Sequence, residues 1–217
     1  MKKIDPILHS LIQEIQEELA TELPGLDAHE KMTPYQRKSA KEALELNLQP
    51  RIAAVLILIY LKENTLFFTL TKRKKYNGHH SGQISFPGGK NENDESIKET
   101  ALRETEEEIG IEKNSISIIG KLTQVYVPPS NFIINPFIGY IDYSPQFEKQ
   151  EREVESILEV PIEQLLDDCN VKIKKIPLTK YAKKNIEMEA PYFELNKQIV
   201  WGATAVILSE FKDLLKR

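Results

Sequence analysis

Three glutamates, Glu104, Glu107 and Glu108, stand at helical spacing within the run Arg103–Ile111. Because each residue of a helix turns the chain by about 100°, their side chains would share one helix face. Like charges at these spacings repel one another, so such a face is either simply solvated or binds a divalent cation. Carboxylate oxygens are the ligands that magnesium prefers. Glu104 and Glu108 form the best ligand pair, and Glu107 is the third candidate.

The residues around these glutamates predict a loop, a helix and a stop. The loop is predicted at Pro87–Gly89, and the helix is predicted to end at Gly110, where a C-cap glycine belongs. A backbone carbonyl of Gly88 or Gly89 would complete a metal site. The helix face opposite the glutamates is predicted to meet the core through an apolar stripe. That stripe consists of Leu102, Thr105 and Ile109.

Hydrophobic periodicity predicts the remaining elements. Helices are expected at residues 4–19, Ile162–Asp167 and Ala203–Leu215. Strands are expected at Ile52–Leu61, Thr65–Thr71, Gln83–Phe86, Ser115–Leu122, Ile133–Asp142, Glu153–Val160 and Ile199–Trp201. Because strands and helices do not alternate regularly, an α/β fold with a mixed sheet and helices on both faces is expected. Residues 1–48 are predicted to form an N-terminal helical extension of a domain at 49–217.

Composition narrows the class of protein. A chain of 217 residues suits one domain with additions, or at most two. A net charge of −4 gives no reason to expect nucleic-acid binding. The longest apolar run, Ile52–Leu61, is too short to cross a bilayer, so no membrane partner is expected. The single cysteine, Cys169, excludes an internal disulfide, favours a cytoplasmic location and is expected to be a small core residue rather than a reactive thiol.

Gly89, Glu95 and the run Arg103–Ile111 together follow the pattern G-x5-E-x7-R-E-U-x-E-E-x-G-U, which resembles the Nudix box. The resemblance implies the Nudix fold, an α/β/α sandwich, and a Mg²⁺ or Mn²⁺ cofactor. It implies metal ligands at Gly89 and the three glutamates. The implied catalytic residues are Arg103, Glu104, Glu107 and Glu108, with the arginine orienting the glutamates.

Two roles in the box stay open. Glu95 either caps the helix, where a carboxylate is favoured by the helix dipole, or supports the metal ligands. The general base is either a box glutamate or an acid on a distant loop. Candidates for that distant acid are Glu151, Glu153 and Glu155.

The residues that precede the box indicate one branch of the Nudix family. Leu70–Arg73, followed by Gly82–Gly89, resembles the accessory motif of coenzyme A pyrophosphatases. His80 matches the histidine of that motif. Two positions depart from it: Lys74 stands where a small residue is common, and Gly78 stands where an arginine is common. The resemblance implies substrate binding by Arg73, Lys72, His80 and Gly88.

The implied reaction is hydrolysis of the diphosphate of coenzyme A, or of its acyl or oxidised forms, to adenosine 3′,5′-bisphosphate and 4′-phosphopantetheine. Two alternatives share the box. One is a Nudix hydrolase for another nucleoside diphosphate derivative, such as ADP-ribose or NADH, and the other is a non-catalytic nucleotide-binding module. Tyr126, Phe132 and Trp201 are weighed either as core residues or as stacking partners for adenine. The expected partner is a small-molecule substrate, and homodimer formation stays open.

Overall fold

The architecture comes from a computed structural model that describes residues 4–34, 38–74, 82–92, 94–177 and 187–217. The helices within these ranges are α1 (Pro6–Leu19), α2 (Gly25–Glu30), α3 (Ala40–Glu45), α4 (Ile97–Ile109), α5 (Ile162–Leu166) and α6 (Ala203–Leu215). The strands are β1 (Arg51–Lys62), β2 (Thr65–Arg73), β3 (Ile84–Ser85), β4 (Gly88–Lys90), β5 (Ser117–Lys121), β6 (Val125–Val127), β7 (Phe132–Tyr140), β8 (Val154–Pro161), β9 (Val171–Pro177), β10 (Glu187–Leu195) and β11 (Gln198–Val200).

Strand β1 lies at the centre of the larger sheet, whose main order is β3-β2-β1-β7-β5. It pairs in parallel with β7 and antiparallel with β2 and β4. Strand β6 adds to β7, and β8 adds to β2. A smaller antiparallel sheet has the order β11-β10-β9. The sheet is therefore mixed, as the irregular order of strands and helices along the sequence predicts.

The two faces of β1 meet different helices, because successive side chains of a strand point to opposite sides. Ile57 and Ile59 pack in the cluster that contains the buried side chains of α1 and α6. Leu56 and Leu58 pack in the cluster that contains Ala101 and Ile109 of α4. The predicted α/β/α sandwich is confirmed, with α4 on one face of the sheet and α1 and α6 on the other.

The predicted loop at Pro87–Gly89 is partly wrong. Gly88–Lys90 forms strand β4, which pairs with Ala53–Val55 of β1. Gly88 has a φ of +150°, and a Cβ there would lie 2.3 Å from the carbonyl oxygen of Ala54. The glycine-rich sequence that indicates a turn is thus also what lets this short strand approach β1 so closely.

Helix α1 contributes four side chains to the same core as α6, namely Leu8, Leu11, Ile12 and Ile15. The boundary between an extension at 1–48 and a domain at 49–217 stays a prediction. Within the described residues, no helix is long and apolar enough to span a membrane. Cys169 is exposed rather than in the core, because it lies in a short 3-10 turn between α5 and β9.

Candidate active site

Helix α4 is fixed at both ends by local contacts. Its N-cap is Ser96, whose hydroxyl accepts from the Glu99 amide at 3.2 Å while the Glu99 carboxylate accepts from the Ser96 amide at 2.7 Å. This reciprocal pair is a capping box. At the other end Gly110 adopts the left-handed conformation, with φ at 74°, as the sequence predicts. The helix that carries the glutamates is therefore capped at both ends.

The three glutamates do not share one solvated face. The exposed fraction of the side chain is 57% for Glu107, 16% for Glu104 and 4% for Glu108. Glu108 instead shares the buried side of the helix with Thr105 and Ile109. The carboxylates thus differ in burial, from the exposed Glu107 to the buried Glu108, and the cluster is not simply a solvated helix face.

Glu108 is a buried carboxyl with unsatisfied bonding capacity. Its Oε2 atom has no hydrogen-bond partner within the described part of the chain. Its Oε1 atom lies 3.7 Å from Arg73 Nη2. Burial raises the pKa of Glu108 to about 7, although Arg73 and a backbone hydrogen bond from Gly88 oppose the rise. A buried carboxyl of this kind binds either a proton or a cation.

Glu104 lies directly against the glycine strand β4. A Cβ built on Gly89 would be 2.3 Å from Glu104 Cδ and 2.4 Å from Oε1. Burial raises the pKa of Glu104, and the neighbouring Arg103 opposes that rise. Only glycine at position 89 leaves space for this carboxylate beside the backbone of β4.

Arg103 holds the glutamates in place through charge-assisted hydrogen bonds. Its Nη1 donates to Glu104 Oε1 at 2.9 Å and to Glu107 Oε2 at 3.1 Å. Its Nε and Nη2 donate to the two oxygens of Glu95 at 3.0 and 2.9 Å. This bidentate contact is the first cause of the Glu95 pKa falling to about 2. Glu95 precedes the N-cap and anchors Arg103, so of the two roles left open for it, support of the ligands agrees better with the contacts.

Two residues that surround Glu95 are not predicted from the sequence. The Thr100 hydroxyl donates to Glu95 Oε1 at 3.0 Å. Asn91 Nδ2 donates to the Glu95 carbonyl at 3.1 Å and to the Thr100 hydroxyl at 2.7 Å. Neither residue stands at a spacing that marks it as functional, because both act through the fold around the box.

A loop ahead of β8 closes over the end of α4. The amides of Glu148 and Gln150 each donate at 3.0 Å, to the carbonyls of Ile109 and Glu108 respectively. The Lys74 amide donates to the Glu153 carbonyl at 2.8 Å. These bonds bring Glu153 close enough for its charge to raise the pKa of both Glu104 and Glu108.

The other two acids considered as a distant base have lysine partners. Glu151 pairs with Lys149 at 3.3 Å, and Glu155 pairs with Lys72 at 2.6 Å. The charge of Glu153 raises the pKa of Glu104 and Glu108, whereas Glu151 and Glu155 form these ion pairs with lysines.

The predicted substrate-binding residues separate into two groups. Arg73 and Gly88 lie at Glu108, beside the carboxylates of α4. Lys72 instead forms its ion pair with Glu155. His80 lies outside the described residues.

The three aromatic candidates for adenine stacking have different surroundings. Tyr126 is buried and donates its hydroxyl to Asn131 Oδ1 at 3.0 Å, so it is a core residue. The Phe132 ring carries the guanidinium of Arg51 at 4.1 Å from its centroid. Lys174 Nζ lies 4.9 Å from the centroid of the Trp201 ring. The half-buried Phe132 and Trp201 rings each therefore already have a cationic neighbour.

A divalent cation fits the side chains at Glu104 and Glu108. Across the described ranges, no group of three or more histidine, cysteine or acidic side chains is arranged to hold a metal ion. Magnesium needs fewer, since it keeps several waters and takes one or two carboxylates. The unpartnered Glu108 Oε2 and the Glu104 carboxylate against Gly89 offer such a pair. Glu107 faces Arg103 and solvent, and its role as a third ligand stays a prediction.

Comparisons with known proteins give sequence matches over more than half of the chain. The family model described as NUDIX domain matches residues 50–181. Nudix hydrolase 3 of Caenorhabditis elegans is 34% identical over 164 residues, which cover 67% of this chain and 65% of that protein. The Nudix hydrolase NudL of Pectobacterium atrosepticum is 33% identical over 172 residues, which cover 75% of this chain and 81% of that protein.

The fold also occurs in solved structures of other proteins. The crystal structure of a MutT/nudix family protein from Enterococcus faecalis superposes with a TM-score of 0.50. It covers 83% of this chain and 71% of the other at 16% sequence identity. At that identity the likeness concerns the arrangement of strands and helices alone.

Proposed function

The chain belongs to the NUDIX domain family of pyrophosphohydrolases, and we propose that it hydrolyses the diphosphate of coenzyme A or its derivatives with a divalent cation. The products are adenosine 3′,5′-bisphosphate and 4′-phosphopantetheine. The observation that supports metal-dependent hydrolysis is the buried Glu108, whose Oε2 lacks a hydrogen-bond partner among the described residues. A cytoplasmic location, inferred from the single cysteine, belongs to the same proposal.

The residues of α4 would hold and orient the cation. Glu104 and Glu108 would hold Mg²⁺ or Mn²⁺, which would supply positive charge against the diphosphate and make the attacking water more acidic. Arg103 keeps the Glu104 carboxylate against Gly89, so that the ligand is in place before the substrate arrives. Burial of Glu108 excludes water from one side of the site and strengthens its attraction for a cation.

Substrate contacts and the proton acceptor lie outside α4. Arg73 lies beside Glu108 and binds a phosphate oxygen of the substrate by a charge-assisted hydrogen bond. Glu153 accepts the proton of the attacking water, since the loop that carries it is hydrogen-bonded to the end of α4 through the amides of Glu148 and Gln150. What supports coenzyme A as the substrate is the accessory motif at Leu70–Arg73 and Gly82–Gly89, of which Arg73 and Gly88 contact Glu108.

The substrate is tested by product analysis. The protein is incubated with coenzyme A, ADP-ribose or NADH in the presence of magnesium or manganese, and the products are separated by chromatography. We expect adenosine 3′,5′-bisphosphate and 4′-phosphopantetheine from coenzyme A, at a higher kcat/KM than for the other two substrates. A preference for ADP-ribose or NADH would overturn coenzyme A as the substrate, but the assignment of hydrolase activity would stand.

The metal ligands are tested by substitution. Glu104→Gln and Glu108→Gln should each lower kcat by about a hundredfold or more, because stabilisation by a bound metal is worth several kcal/mol. Glu106→Gln is the matched control, since Glu106 is on the same helix but accepts from the Lys113 amide. Full activity in the Glu104→Gln or Glu108→Gln protein would exclude these metal roles.

A further inference from the structure

Thr100 is a fully buried residue of α4 whose hydroxyl is bonded to the carboxylate that holds Arg103. The hydroxyl oxygen lies 3.0 Å from Glu95 Oε1 and 3.3 Å from the carbonyl oxygen of Ser96. The hydrogen bonds from Arg103 are the first cause of the Glu95 pKa of about 2, so this carboxylate is ionised and can only accept. Because a hydrogen bond to a charged acceptor is the stronger one, the single hydrogen of the hydroxyl goes to Glu95.

Asn91 holds the same hydroxyl in place. Its Nδ2 atom donates to the Thr100 hydroxyl at 2.7 Å and to the Glu95 carbonyl at 3.1 Å. Because a carbonyl can only accept, the Asn91 atom that meets it is the amide nitrogen, and the two bonds use both of its hydrogens. The backbone amide of Asn91 donates to the Ile52 carbonyl of β1 at 2.9 Å. The Thr100 hydroxyl is therefore connected to the central strand of the sheet.

Glu95 and Arg103 connect this hydroxyl to the metal ligand Glu104. Arg103 donates from Nε and Nη2 to the two oxygens of Glu95, and from Nη1 to Glu104 Oε1. The side chains of Glu95 and Arg103 are 18% and 26% exposed, so water competes for both of them. The Thr100 hydroxyl is a partner of Glu95 that water does not reach, because Thr100 is fully buried. Loss of this hydroxyl would give Glu95, and with it Arg103, more freedom to turn towards solvent.

We propose that Thr100, supported by Asn91, is a positioning residue for the hydrolytic reaction. Its hydroxyl fixes the Glu95 carboxylate, and Glu95 in turn fixes Arg103. Arg103 then keeps Glu104 in the place where it would hold the cation. The inference rests on the function proposed above, since Thr100 affects the reaction through this metal ligand. A hydroxyl that only satisfied its own burial would affect stability and leave cation binding unchanged.

The test compares two valine substitutions in the same helix. Thr105 is as fully buried as Thr100, but its hydroxyl donates at 2.7 Å to the Ala101 carbonyl of α4 rather than to an acidic side chain. Valine keeps the shape of threonine and removes the hydroxyl, so Thr100→Val and Thr105→Val should each lower Tm by several degrees. Thermal unfolding of the full-length protein measures this structural cost, which the two variants share.

Cation binding should separate the two variants. Binding of Mn²⁺ without substrate is measured by electron paramagnetic resonance, and kcat for coenzyme A is measured with magnesium. In Thr100→Val we expect the Kd for Mn²⁺ to rise and kcat to fall, each by about tenfold, as is typical when the support of a metal ligand is lost. Thr105→Val should stay within about twofold of the wild-type values, because it removes no such support. Thr100→Ser, which retains the hydroxyl, should restore most of the loss.

A double-mutant cycle tests whether Thr100 acts through Arg103. Arg103→Met breaks the connection to the metal ligand, so adding Thr100→Val to it should leave the Kd for Mn²⁺ unchanged. Equal Mn²⁺ affinity in Thr100→Val and Thr105→Val, or a full further loss in the double variant, would overturn the proposal. If Thr100→Val does not fold, Asn91→Ala decides by the same measurements, because it removes the donor that holds the hydroxyl. Absence of coenzyme A hydrolysis would contradict the proposed function, while the Mn²⁺ affinities still decide the role of Thr100.

Discussion

Glu108 shows what helical spacing can and cannot predict about a residue. The i, i+3, i+4 pattern predicts that Glu104, Glu107 and Glu108 point to one side of α4. It does not predict which of them is buried. That depends on where strand β4 and the loop that contains Glu148 and Gln150 lie against the helix. Only tertiary contacts make Glu108 a carboxyl with a pKa of about 7.

Because of this pKa, the stability of the metal-free protein should depend on pH. The ordinary value for Glu108 is 4.5, so between 4.5 and about 7 the folded state binds more protons than the unfolded chain. The free energy of unfolding therefore falls as the pH rises through this window. The loss is about 3 kcal/mol at most. Urea unfolding in the presence of EDTA at a series of pH values measures it.

The matched variant is Glu108→Gln, which carries no charge at any pH and should lose little stability across the same window. Glu106→Gln should behave like the wild-type protein, because Glu106 lies at the helix end and accepts from the Lys113 amide. If wild type and Glu108→Gln show the same pH dependence, the buried carboxyl is not the group responsible.

At the scale of elements, strand β4 positions the Glu104 carboxylate. In Gly89→Ala the new Cβ would lie 2.3 Å from Glu104 Cδ, so the carboxylate must move away from β4. Because a flexible side chain yields rather than the backbone, we expect a small change in Tm. The value of kcat/KM should fall by about a hundredfold, as for loss of a metal ligand. Steady-state kinetics and thermal unfolding separate the two effects.

Gly120→Ala provides the control for added volume. A Cβ there would meet Leu19 Cδ1 at 2.6 Å, in contact with α1 and on the opposite face from the α4 carboxylates. It should lower Tm at least as much as Gly89→Ala while leaving kcat/KM close to wild type. An active Gly89→Ala protein would show that Glu104 does not need its place beside β4.

Elements with a strong local signal follow from the sequence. Helix α6 spans Ala203–Leu215, the bounds that its hydrophobic pattern predicts, and α4 ends at Gly110. Strands β9 and β10 are absent from the prediction. The side chains of Val171 and Ile173 are exposed, so β9 has no buried face over residues 171–175. A strand without a buried face has little periodicity to reveal it.

At the scale of the whole molecule, the N-terminal helices pack on the same core as the sheet. The sequence predicts an extension at 1–48, because a helix precedes the first strand. Helix α1 places its apolar stripe in the core cluster that α6 and β1 also build. Helix α2 is tied to α6 through His29 and Glu210. These contacts predict that the N-terminal helices unfold together with the sheet.

Ile15→Ala tests this cooperativity. Ile15 is fully buried, so the substitution should lower the free energy of unfolding by about 3 kcal/mol, whereas Ile7→Ala, at a side chain in the same helix that is 43% exposed, should cost less than about 1 kcal/mol. The single tryptophan, Trp201, lies beyond residue 48, and its fluorescence reports on that part alone. In one cooperative unit, Ile15→Ala moves the Trp201 transition to lower urea concentration. A separately folding extension would instead leave that transition where it is in Ile7→Ala.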